Sequence, residues 1–141
     1  MNDLPLASVI IVTWNSAAHL PRCLASLSVQ TFKDFEIILE DNGSTDGSAE
    51  GLERRWPALR LRVERLGENK GFAAANNLGA RLARGHWLAL FNSDAFPDPD
   101  WLEKLLQAAE RYSEFSFFVS RQLQANAPYL LDGTGDVYHN Q

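Results

Sequence analysis

The sequence predicts an α/β fold, a mainly parallel sheet with helices on both faces. Three observations predict it. Short apolar segments alternate with segments that carry a helical stripe, in the order β-α-β-α. The segment at 8–13 is almost continuously apolar and rich in β-branched residues, as a strand buried on both faces is. Three of the predicted strands end on polar residues, where open parallel sheets bind ligands.

The elements follow in order. Residues 8–13 form the first strand, and Asn15 and Ser16 are candidate helix caps after it. Leu20, Cys23, Leu24 and Leu27 then recur at helical spacing, which places Pro21 in the first turn of a helix. Residues 35–40 form the second strand, 41–46 a turn, and 47–56 a helix stopped by Pro57. Residues 59–66 alternate in polarity, the mark of a half-exposed strand near a sheet edge. A loop at 67–71 leads to a helix over 72–84, with Ala75, Leu78, Gly79 and Leu82 on one face and Gly85 as its stop. Residues 86–91 are read as another buried strand. Asp98 caps the next helix with Pro99 at its first position, and that helix runs to about Tyr112. Residues 115–119 are a further strand, no period follows Gln122, and Asp132 to Gly135 is a turn.

The chain has 141 residues, enough for one domain with one core. Its net charge of -5 argues against a nucleic-acid-binding face, and an acidic chain that handles a diphosphate needs a cation to cancel charge. Cys23 is the only cysteine, so an intrachain disulfide is impossible; its place on an apolar stripe predicts a buried thiol. The N-terminus lacks the pattern of a signal peptide, and no apolar run approaches a membrane span.

The candidate chemistry lies at the strand ends. Thr13, Asn15, Asp41 and Asp94 sit where apolar strands leave the sheet. Asp94 either caps a turn before Pro97 or holds Mg²⁺ or Mn²⁺ through oxygen. Asp41 is placed to accept the imide N–H of a uracil or thymine ring. Asp46 reads as a local turn cap. Lys70 precedes a helix start and either faces an anion or is simply solvated. Of Asn76 and Asn77, one is a candidate ligand contact and the other faces water. The sequence has no dinucleotide-binding glycine motif, no P-loop, no serine-hydrolase elbow and no zinc spacing among its histidines.

Val9 to Asn15, Cys23 to Thr31, Glu40 to Asp46, Asn69 to Asn77 and Leu90 to Ala95 together resemble the family 2 glycosyltransferases of GT-A fold. The Asn-Lys-Gly-Phe and Asn-Ser-Asp-Ala forms resemble the rhamnosyltransferase-like branch. The resemblance implies a Rossmann-like three-layer sandwich, incomplete at its C-terminus, in which 1–141 is one donor-binding domain and 123–141 an irregular start of the acceptor side. It implies that Thr13, Asn15, Asp41, Lys70 and Ser93 bind the nucleotide. Asp94 would hold the metal, in a motif where Asn92 replaces an aspartate. It implies inverting transfer from a nucleotide-diphosphate sugar, dTDP-rhamnose or a UDP-sugar, to a saccharide or lipid-linked acceptor. A cytoplasmic place follows, with peripheral contact at the inner face of a membrane left open. Members run well past 200 residues, and neither Asp132 nor Asp136 sits in the family's base motif, so no catalytic base is assigned. The expectation is a fragment that binds donor and transfers poorly. The alternative is a non-catalytic nucleotide-binding or interaction module. A nucleotidyltransferase would share the sheet plan but needs a Gly-rich basic loop after strand one, which Trp14 to Ala17 does not provide.

Overall fold

The computed structural model describes residues 4–133. Four strands, β1 (Ala7–Thr13), β2 (Phe35–Asp41), β3 (Leu61–Arg65) and β4 (Trp87–Asn92), form one sheet in the order β3-β2-β1-β4. All three ladders are parallel, with Thr13 beside Asp41 and Val12 beside Asn92. β1 and β2 are buried along their whole length; the apolar composition of β1 accounts for this, whereas β2 buries Glu36, Glu40 and Asp41 as well as its apolar residues.

Helices cover both faces. On one face α1 (Leu20–Ser28) buries Leu20, Cys23, Leu24 and Leu27 against Val9, Ile11, Ile37 and Leu39. The short α2 (Leu52–Arg55) and α4 (Trp101–Arg111) add Leu52 and Leu102 to the same core. On the other face α3 (Phe72–Leu82) lies across β1 and β2. Gly79 permits the close approach, because a Cβ there would stand 2.6 Å from Ile10 Cγ2. Buried Gln30 ties the end of α1 to the start of α4: its Nε2 donates to the Asp98 carbonyl at 2.7 Å, and its Oε1 accepts from Leu102 N at 3.0 Å.

Several expected elements differ. The second helix begins only at Leu52, because Gly47 and Gly51 take positive φ and turn the chain first. The cap of α1 is His19, while Ser16 contributes its carbonyl to the His19 and Leu20 N–H groups. α4 starts at Trp101 with Asp100 at its cap, and the Asp98 carbonyl closes a turn on Trp101 N. α3 buries Ala75, Asn76 and Gly79, not the full apolar stripe. β4 is not buried on both faces. It is one of the two sheet edges, and Leu88 and Leu90 are 49% and 60% exposed.

Residues 115–119 form no strand. They have no neighbouring strand to bond, and Phe117 is 91% exposed. Beyond Gln122, where no period is visible in the sequence, β5 (Gln122–Gln124) and β6 (Ala127–Gly133) pair as a small antiparallel ribbon. Asp132 lies in that ribbon, so the turn expected there begins within a strand, and its remainder lies outside the described residues, as do Asp136 and His139. Among the described residues no helix is long and apolar enough to cross a membrane.

Candidate donor-binding site

The strand order places the site. From β1 the chain moves outward through β2 to β3, then crosses by α3 to β4 on the far side of β1. The connections therefore diverge between β1 and β4, and a crevice opens at their carboxyl ends. A cleft of about 300 Å³ lies there, lined by Val12, Asn15, Ser16, His19, Phe72, Asn92, Ser93 and Asp94.

Three of the residues singled out in the sequence meet in this cleft: Asn15, Ser93 and Asp94. The Ser93 and Ser16 hydroxyls are bonded at 3.1 Å, which clips the loop after β4 to the loop after β1. Asn15 takes a left-handed conformation, φ 50°, which asparagine tolerates better than most residues. Its side-chain oxygen accepts from Thr45 N at 2.8 Å and its N–H donates to Ser44 Oγ at 2.9 Å. Asn15 thus joins the first and second strand-end loops as well as lining the cleft.

Thr13, Asp41 and Lys70 lie outside the lining. Thr13 is buried, and its hydroxyl has no partner in the protein. Asp41 is 7% exposed beside it, and its Oδ1 accepts the Ser44 N–H at 3.0 Å. Lys70 pairs its Nζ with Glu68 at 2.7 Å on the surface. Asp46 caps its own turn by accepting from Ser48 N and also accepts from Ala17 N in the loop after β1, and the hydrogen bonds from Ser48 and Ala17 hold its carboxyl below the usual range. Asn77 is exposed, and buried Asn76 donates to the Phe72 carbonyl within its own helix.

Two asparagines not singled out for this role organise the rim. Asn42 Oδ1 accepts Lys70 N at 2.8 Å, and Asn42 Nδ2 donates to Asn69 Oδ1 at 3.0 Å. Asn69 Oδ1 also accepts Gly71 N at 2.9 Å. The loop after β2 is therefore laced to the start of α3. The Asn-Gly pair signals a turn in the sequence, but a bond between positions 27 residues apart leaves no local pattern. Asn42→Ala should cost about 2 kcal/mol, from two lost bonds with one partner left unsatisfied, and chemical denaturation will measure it. His19 and Phe72 also line the cleft; neither stood out by residue type or spacing.

Cys23 sits behind the cleft with its thiol 3.8 Å from the Asn92 carbonyl. Burial and the nearby Asp94 charge push it up to about 12, so it stays a protonated thiol, as its place on the apolar stripe predicts. No group of three metal-ligating side chains occurs among the described residues. The single Asp94 carboxylate with the Asn92 amide fits a cation only when a ligand's own phosphate oxygens complete its shell, the usual arrangement for Mg²⁺ on nucleotides.

A parallel sheet with a polar cleft at its switch point, amide and hydroxyl groups on its walls and one carboxylate, is the arrangement of an α/β domain of GT-A type. The particular family follows from comparison with known proteins. The model of glycosyl transferase family 2 matches residues 8–127, and the chain belongs to that family. It is 33% identical to an N-acetylglucosaminyl-diphospho-decaprenol L-rhamnosyltransferase of Mycobacterium tuberculosis, over 92% of this chain and 43% of the relative. It resembles TarS of S. aureus, solved with UDP-GlcNAc, with a TM-score of 0.71 and 27% identity over 76% of this chain and 32% of the other. It also resembles the mannosyltransferase PcManGT of Pyrobaculum calidifontis, solved with GDP-Man and Mn²⁺, with a TM-score of 0.69 and 26% identity over 89% of this chain and 38% of the other. The chain thus spans less than half the length of each of these relatives.

Proposed function

We propose that this chain supplies the donor-binding part of an inverting, metal-assisted glycosyltransferase. The observation that carries the reading is Asp94 in the polar cleft at the switch point, flanked by Asn92 and Ser93. Asp41 accepts the base imide N–H through Oδ2, while Oδ1 stays on Ser44 N. The Asn15 amide and the Ser16–Ser93 hydroxyl pair face the sugar-phosphate portion. Asp94 and Asn92 hold the cation, which, when bound, neutralises charge on the departing diphosphate. Lys70 approaches the phosphates once it leaves Glu68, and the laced Asn42–Asn69 pair keeps its backbone in place.

The rhamnosyltransferase relative and the Asn-Lys-Gly-Phe form support dTDP-rhamnose as donor, and the structure with UDP-GlcNAc supports a UDP-sugar. The acceptor is a saccharide or a lipid-linked sugar, the latter supported by the same rhamnosyltransferase. Calorimetric titration with dTDP, UDP and GDP, with and without Mn²⁺, tests the reading. Binding of a uracil or thymine nucleotide in the presence of metal is expected, weakened at least tenfold by Asp41→Ala, about 1.4 kcal/mol. Failure of every nucleotide to bind under any metal condition overturns it.

A further inference from the structure

The sheet face beneath α3 holds a carboxyl that the proposed site does not use. Glu40, immediately before Asp41, is fully buried, and neither of its oxygens has a partner in the protein. α3 sits directly on it: a Cβ at Gly79 would come within 3.3 Å of Glu40 Cγ and Oε1. On one side β1 presents Val12 at the same level. On the other, β3 places Glu64 opposite, and Glu64 is already paired with Arg62. The buried residues of α3, namely Ala75, Asn76 and Gly79, bring no charge. A proton on Glu40 therefore suits this slot, and a bare carboxylate does not.

α3 also forms part of the cleft. Its first residue, Phe72, lines the cleft together with Asp94, and Lys70 and Gly71 lead into the helix. We propose, on the footing that the cleft binds a nucleotide diphosphate, that Glu40 is a positioning residue: protonated, it keeps α3 seated on the sheet, and ionised, it loosens α3, so donor affinity falls as pH rises. The charge has no donor within the protein, so water must reach it, and movement of α3, which packs on it, opens a path. Burial, then the Glu64 charge, raise Glu40 from 4.5 to about 7 against a smaller opposing effect of Arg62. The folded state consequently holds more protons than the unfolded state between those values. The stabilisation is complete below 4.5, is lost as pH rises to about 7, and changes no further above it.

The test compares wild type with Glu40→Gln, using UDP and dTDP with Mg²⁺, and follows amide protection in residues 72–82 by hydrogen exchange corrected for intrinsic rate. Between about pH 6 and about pH 8.5, wild-type affinity should fall roughly fivefold or more, together with α3 protection. Glu40→Gln should abolish both changes; the nucleotide's own phosphate titrates equally with either protein and cancels in the comparison. Parallel pH profiles for the two proteins overturn the proposal. If no nucleotide binds at any pH, the donor-binding reading fails, and α3 protection still decides the role of Glu40. Should Glu40→Gln not fold, Glu40→Met removes the same charge at similar volume and is read the same way.

Discussion

Asp94→Ala should abolish the metal dependence of donor binding, on the reading that Asp94 holds the cation. In wild type, adding Mn²⁺ should tighten dTDP or UDP binding by at least about tenfold, since the cation cancels diphosphate charge in an acidic chain. In the variant that gain disappears, and affinity with metal equals affinity without it. The fold should be unaffected, because among the described residues no group donates a hydrogen bond to the Asp94 carboxylate, which lines the cleft. Calorimetry with and without metal, beside a thermal melt, separates the two effects. Retained metal dependence in a folded Asp94→Ala protein would remove Asp94 from the metal site. Asp94→Asn should behave like Asp94→Ala, because an amide carries no charge to offset the cation.

Gly43→Ala should be the most damaging single substitution in the loop after β2. Gly43 has φ +82°, a conformation that costs a residue with Cβ about 1–2 kcal/mol. The added Cβ would also stand 2.8 Å from the Glu68 carbonyl carbon and 2.9 Å from Glu68 Cα, both backbone atoms that cannot simply rotate away. Relieving that overlap adds about 1–3 kcal/mol. A loss of about 3 kcal/mol is expected in urea denaturation. Donor affinity should also fall, because the same contact seats the loop that Asn42 laces to Lys70. Gly67→Ala is the control: it has φ +75° but meets nothing within 4 Å, so only the conformational cost applies. Equal losses at the two positions would show that the contact with Glu68 contributes nothing.

The sequence was read well where burial is uniform. β1 is almost wholly apolar and is recognisable as a strand without its neighbours. The stripe of α1 was equally plain, with all four expected residues buried. The sequence is less legible where a partner decides. Residues 115–119 have strand composition, but no strand lies beside them. β4 has the composition of a buried strand, yet its place at the edge exposes Leu88 and Leu90. Glu36 and Glu40, carboxylates in β2, are both buried. Burial raises the Glu36 carboxyl, but hydrogen bonds from Arg84 and Ser8 outweigh it and hold the group below its ordinary range. Glu40 has no such partners.

The sequence by itself determined the parallel α/β plan and the family, and it marked Asn15, Ser93 and Asp94, because strand ends and turn residues are written locally. Only the tertiary structure decided that those three share a cleft while Thr13, Asp41 and Lys70 stand apart from its lining. It alone showed Asn42 bonding the start of α3 and Glu40 buried beneath that helix. The physical reason is common to all of these. Period and composition report which way a side chain tends to face, whereas a hydrogen bond across 27 positions or a carboxyl pressed against a helical glycine depends on which elements the fold lays side by side.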